Sequence, residues 1–208
     1  MKNQAFVRAA LAAAMIGMSA GLAGCFTAAA TGIVVGGLAA VDRRTIGAQT
    51  EDQGIELKAY DALRANKLQG GGISVTSFNR RVLLTGQVEN ESIKDRAAQL
   101  VRGIENVVEV HNELSVAGRA SLGSAVTDTS VTTRVKTALL RSPDVPGNSI
   151  KVITEKTTVY LMGLVTATEA EEAARIAART PGVARVVTVF EVISPEEARR
   201  LDGRDRSS

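Results

Sequence analysis

Few residues in this 208-residue chain could do chemistry: it has one Cys, one His and no Trp. His/Cys metal clusters and disulfide frameworks are thereby excluded by counting. A Ser-His-Asp or Cys-His mechanism would have to run through His111, in Val110-His111-Asn112-Glu113, and no nucleophile pattern accompanies it. It reads as a solvated strand histidine. The carboxylate pairs Glu171-Glu172 and Glu196-Glu197 are sequence neighbours on expected helices, and read as solvated faces rather than acid/base machinery. What remains is a constellation of charge. Arg134, Lys136 and Arg141 lie in a stretch, residues 129–142, that contains no acidic residue. At 100° per residue, Val131, Val135, Ala138 and Leu139 form one apolar stripe while Leu140 falls on the opposite side. An outward Leu ringed by cations suits an anionic lipid surface, of the kind phosphatidylglycerol or cardiolipin presents.

Regional charge points the same way, since residues 51–116 carry 8 basic and 10 acidic side chains whereas residues 117–193 carry 9 and 7. Three cations at about 1 kcal/mol each, with about 1.5 kcal/mol for a partly buried Leu, give roughly 4 to 5 kcal/mol. Alone that is about millimolar affinity, so such a face needs another attachment to keep it at a membrane.

The N-terminus offers one. Lys2 and Arg8 precede an apolar run over residues 9–20, a secretory signal in charge, length and order, which ends at Leu22-Ala23-Gly24-Cys25. The quartet resembles the bacterial lipobox, in which a signal peptidase cuts before a lipid-modified cysteine. Cys25 is then an anchor, bearing acyl chains such as palmitate. Phe26 follows it, not the Asp that marks inner-membrane retention in enterobacterial lipoproteins, which favours the outer membrane. Removing Lys2 and Arg8 lowers the formal net charge from +3 to +1, too little for broad nucleic-acid binding. Residues 26–41 form a second apolar stretch, rich in Ala and Gly, too short to span a bilayer comfortably.

Beyond the tether the chain repeats itself. Ile73, Val75, Val82, Leu84, Gly86, Val88, Ala97 and Arg102 match Ile150, Val152, Val159, Leu161, Gly163, Val165, Ala174 and Arg179 at an offset of 77. Ile55, Ala59, Ala62 and Leu63 match Val131, Val135, Ala138 and Leu139 at 76, as Val107 and Val110 match Val183 and Val186. Each copy reads as a helix, a hairpin, an Ala-rich helix and a β-branched strand. The hairpin turns are expected at Asn79-Arg80 and Glu155-Lys156. The second Ala-rich helix opens with a capping box at Thr166-Ala167-Thr168-Glu169. Gly86 and Gly163 interrupt strand patterns at matched positions and read as structural, making room for helix packing over the sheet.

Paired α-β-β-α-β units with a glycine in the second strand, behind a lipobox, resemble the BON-domain family of bacterial envelope proteins. The stretches that carry the resemblance are residues 42–49 (DRRTIGAQ), 82–87 (VLLTGQ) and 159–166 (VYLMGLVT). It implies an α+β fold of two tandem BON domains, each a three-stranded mixed sheet with two helices packed on one face. It also implies a non-enzymatic lipoprotein of the outer membrane, facing the periplasm, without metal or cofactor. Such proteins bind anionic phospholipid through the second domain, gather at cell division sites and support envelope integrity. The family's lipid contact involves the first helix of that domain, including a Trp near its start, where this chain has Ser130. The expected contact set is Ser130, Arg134, Lys136, Leu140, Arg141 and Val145.

The expected organisation is a signal peptide over residues 1–24, a lipidated tether over 25–49 and a first domain over 50–116. A Gly/Ser-rich linker at 117–129, a second domain at 130–193 and a tail at 194–208 complete it, with a short helix over 195–200 and disorder from 202. A competing reading is a protein-interaction adaptor that docks on outer-membrane assembly machinery through a sheet edge or the first domain.

Overall fold

The computed structural model describes residues 42–68, 72–116 and 124–203. The signal segment, Cys25, residues 26–41, most of the expected linker and the last five residues lie outside these. The described chain runs α1 (Ile46–Ala65), β1 (Ile73–Phe78), β2 (Arg81–Val88), α2 (Glu91–Arg102), β3 (Glu109–Asn112) and β4 (Ser115–Val116). It then repeats as α3 (Ser124–Arg141), β5 (Ile150–Glu155), β6 (Thr158–Val165), α4 (Ala167–Arg179) and β7 (Arg185–Val192), and closes with α5 (Pro195–Leu201). In each half the central strand pairs antiparallel with the strand before it and parallel with the last one. The fold is thus α+β, two mixed sheets in tandem.

Strand alternation decides what each sheet face buries. Val82, Leu84 and Val88 point toward Ile55, Ala59, Leu63, Ala97 and Val101 of α1 and α2 in the first core. Val159, Leu161 and Val165 meet Val131, Val135, Leu139, Ala173 and Ala177 of α3 and α4 in the second. The intervening residues are buried as well. Phe78 and Leu83 pack with Tyr160, Met162, Leu164 and Val189 in a third cluster, so the helix-free faces of the two sheets close on each other. This explains why β6 is apolar almost without break, as a strand covered on both faces must be.

The expected helix boundaries are revised at both domain starts. α1 begins at Ile46, inside the expected tether, because the Thr45 hydroxyl accepts from Ala48 N–H and caps it. α3 begins at Ser124, inside the expected linker, and four turn-and-core contacts depend on that. Asp128 is buried on this added turn, where its carboxylate accepts from the backbone N–H groups of Lys156 (2.8 Å) and Thr157 (2.9 Å). Asp52 on α1 does the same for Asn79 and Arg80, both at 2.8 Å. The second hairpin turn therefore sits at Lys156-Thr157, one residue beyond the position read from the sequence. All four turn residues have φ between 47° and 67°. A β-branched Thr is a poor left-handed residue; the buried carboxylate gripping both amides offsets that.

Gly86 and Gly163 answer to close approach, though not of a helix. A Cβ at Gly86, whose φ is 111°, would overlap the Gly72 carbonyl, and one at Gly163 would lie 2.9 Å from the Ser149 carbonyl. In both halves it is the backbone entering the first strand that excludes a side chain.

Candidate functional site

α3 turns Val131, Val135 and Leu139 fully inward, and the face this leaves outside carries Ser130, Thr133, Arg134, Leu140 and Arg141, all exposed. Leu140 keeps 49% of its surface. Ser130 orders its neighbour one turn on, since Arg134 donates from Nη2 to Ser130 Oγ (2.8 Å) and from Nε to the Ser130 carbonyl (3.2 Å). Both partners are neutral, so the Arg134 charge is placed without being cancelled. Arg141 forms an ion pair with no described carboxylate.

Two members of the expected contact set are elsewhere. Lys136 lies on the flank of α3 and donates from Nζ to the carbonyls of Gly147 (2.7 Å) and Ile150 (2.6 Å), closing the loop that leads into β5. Burial pushes its ammonium below the ordinary lysine range, although Asp42 pulls the other way. Val145 is 6% exposed and belongs to the second core. Both corrections have one cause: a helical projection tells inward from outward but not which flank a following loop covers.

The structure adds a cation that the projection could not supply. Arg179, in the last turn of α4, faces Arg134 and Arg141 across an open trough of about 510 Å³ floored by Ala138, Ile176 and Pro181. A second hollow of about 500 Å³ continues it along Thr129, Ser130, Thr133 and Arg134. The trough's end is shaped by Gly182, at φ 95°, where a Cβ would come within 3.5 Å of the Arg134 guanidinium. A signal for Arg179 existed, since it ends a helix whose residues recur at the repeat offset, but its first-domain counterpart Arg102 gave no reason to single it out.

The residues just after the expected tether form a second constellation. Arg43 is 4% exposed and spends all five of its N–H donors. Nε and Nη2 donate to Asp202 (2.8 and 3.0 Å), Nη1 and Nη2 to Glu169 (2.7 and 2.8 Å), and Nη1 also to the Leu164 carbonyl (2.9 Å). Burial alone would push the Glu169 carboxyl up, but the Arg43 guanidinium and the Thr166 N–H overcome it and hold the group below the usual glutamate range. Glu169 thus completes the capping box read from the sequence and also grips Arg43. Asp202, expected in a disordered tail, is fixed by the same contact. Arg44 bonds Asp42 and Asp52 and stacks 3.8 Å from the Phe78 ring centroid.

His111 is half-buried on β3, with Nε2 3.1 Å from Glu109 Oε1. Burial, reinforced by the Arg81 charge, pushes it below the ordinary histidine range. It stands between two charged neighbours rather than free in solvent. Among the described residues no group of three or more His, Cys, Asp or Glu side chains could hold a metal ion, and no helix is long and apolar enough to cross a membrane.

With two repeated α-β-β-α-β units on a shared sheet interface, the chain belongs to the BON domain family, whose pattern it matches over residues 51–118 and 127–194. Among its relatives, an outer membrane lipoprotein of Haemophilus influenzae, DolP, is 38% identical over 183 residues, covering 87% of this chain and 95% of that protein. A 21 kDa hemolysin of Actinobacillus pleuropneumoniae is 33% identical over 155 residues, covering 74% of this chain and 80% of its own length. CdsD, a structural protein of the type III secretion system of Chlamydia trachomatis, superposes with a TM-score of 0.30 at 11% identity, over 73% of this chain and 98% of that one. That superposition is too loose to bear on fold or function.

Proposed function

We propose that this protein is a non-enzymatic lipoprotein of the outer membrane, anchored through Cys25 and facing the periplasm. Its second domain recognises anionic phospholipid through the outward face of α3, in support of envelope integrity and at division sites. The observation that carries this reading is the exposed Leu140 beside Arg134 and Arg141 on a face without an acidic residue. The outer-membrane assignment draws on the Haemophilus influenzae relative, itself an outer membrane lipoprotein.

The start of the folded chain supports the same orientation. Asp42 lies close enough to Lys136 to act on its charge, and the 17 residues from Cys25 to Asp42 reach at most about 60 Å. An anchored chain therefore enters the folded body on the flank of the helix proposed to meet the lipid. Acyl chains supply residence and α3 supplies headgroup choice, so the modest affinity of the face alone is sufficient.

The test is flotation of the mature chain, made without acyl groups by Cys25→Ser, with vesicles that contain or lack phosphatidylglycerol or cardiolipin. Binding to the anionic vesicles alone, lost in Leu140→Glu, is the expected result. Equal binding to both kinds, or no effect of Leu140→Glu, overturns the reading. A single dominant protein crosslink in cells that persists after anionic lipid is depleted would favour the adaptor reading instead.

A further inference from the structure

The outward side of α3 is not a flat patch. Arg134 and Arg141 are seven residues apart, about 10 Å along the helix, and Arg179 reaches the same trough from α4. Three guanidinium groups from two helices border one concavity, and none of them forms an ion pair with a described carboxylate. Like charges gathered around a cavity repel one another unless an anion sits between them. Arginine, unlike lysine, offers a planar fork of donors matched to phosphate oxygens. The floor is apolar, made by Ala138, Ile176 and Pro181, and the volume of about 510 Å³ falls within the range of small-molecule sites. The adjoining hollow beside Ser130 and Thr133 prolongs the concavity along α3. A purely electrostatic surface needs neither an apolar floor nor depth.

We infer that the trough between α3 and α4 seats one anionic phospholipid molecule, its phosphate held among Arg134, Arg141 and Arg179 and its glycerol and first acyl carbons lying on Ala138, Ile176 and Pro181. This rests on the reading of the second domain as an anionic-lipid binder, and deepens it from attraction to a charged surface into recognition of a single lipid. Arg179 becomes a residue of the site, although nothing in its own helix marks it. Ser130 becomes a positioning residue that aims Arg134, and Gly182 keeps the loop after α4 clear of the same guanidinium.

The test uses the mature chain with Cys25→Ser and dihexanoyl phosphatidylglycerol below its micelle-forming concentration, followed by amide NMR shifts. Saturable shifts at Thr137, Ile176 and Arg179 are expected with this lipid and absent with dihexanoyl phosphatidylcholine. Arg179→Gln, at an exposed position whose loss leaves the core intact, is expected to weaken binding of the monomeric lipid about tenfold, as removal of one charge-assisted contact does. Arg179→Lys should restore only part of it. Inorganic phosphate that gives the same shifts at the same affinity would reduce the trough to a simple anion site and overturn the inference. So would binding of anionic vesicles with no response to the monomeric lipid, which would leave the surface reading standing. Failure of both lipid forms to bind would remove both.

Discussion

The first helices of the two domains, α1 and α3, occupy matched positions but present different surfaces. α1 exposes more apolar side chain: Ile46 is 83% and Leu57 65% exposed, against 49% for Leu140. Grease alone would therefore nominate the first domain. The difference is in charge. On α1, Arg64 pairs with Asp61 (3.8 Å) and Lys58 with Glu105 (3.7 Å), so its cations are answered locally. On α3 no carboxylate stands among the exposed positions, and α4 adds Arg179. Duplication supplied two equivalent faces, and substitution of charge rather than of apolar residues sets them apart.

The comparison breaks most sharply under charge reversal. Changing Arg134, Arg141 and Arg179 together to Glu alters six units of charge, worth about 6 kcal/mol at an anionic surface, more than the whole attraction of the face. Vesicle flotation should fall to background while the thermal unfolding midpoint holds. Next comes Arg43→Ala, which strands Glu169 and Asp202. Loss of one partner from such a buried network costs about 3–5 kcal/mol. Urea unfolding followed at Tyr160 should show that loss in the second domain, although the substitution precedes the first.

Building the missing charge into α1 tests the converse. Gln53→Arg with Asp61→Arg flanks Leu57 with cations and changes three units of charge, worth about 3 kcal/mol. A first domain that then gains roughly 100-fold in anionic-vesicle binding would show charge to be the deciding variable. A smaller contrast separates the two turn-gripping carboxylates. Asp52 also bonds Ser77 and Arg44, whereas Asp128 holds only the two turn amides among the contacts described. Asp52→Ala should cost about 3 kcal/mol and Asp128→Ala about 1–2 kcal/mol in denaturant unfolding.

The smallest effect is an acid dependence confined to the Arg43 contact. Glu169 is held below its ordinary value, so its contribution is complete above the unfolded value near 4.5 and fades as pH falls through the lower folded value. Hydrogen exchange at Arg43 and Arg44 should accelerate below about pH 4.5 before exchange in α1 does.

Those elements that depend on short-range pattern were legible. The repeat, the α-β-β-α-β order, the sheet pairing and the Thr166 capping box follow from periodicity and spacing within a few residues. What escaped depends on distance. Arg43 meets partners 126 and 159 residues away, and no local pattern distinguishes it from Arg44. Arg179 joins the trough only because α4 lies beside α3. Lys136 and Val145 were assigned to the outer face because a helical projection carries no record of the loop folded against its flank. The turn at Lys156-Thr157 was misplaced by one residue, since the carboxylate that makes its geometry tolerable lies 28 residues earlier. Asp52 and Asp128 did carry a signal, recurring at the offset of 76 that aligns the two helices.

The Arg43 clasp also decides how the molecule bears load. Tension carried by the chain upstream of residue 42 passes first into the guanidinium held by Glu169 and Asp202, and so into α4 and α5. It reaches α1 only after that grip yields. The domain that comes last in the sequence is thus the first to be pulled, and the one ahead of it hangs slack until the clasp lets go.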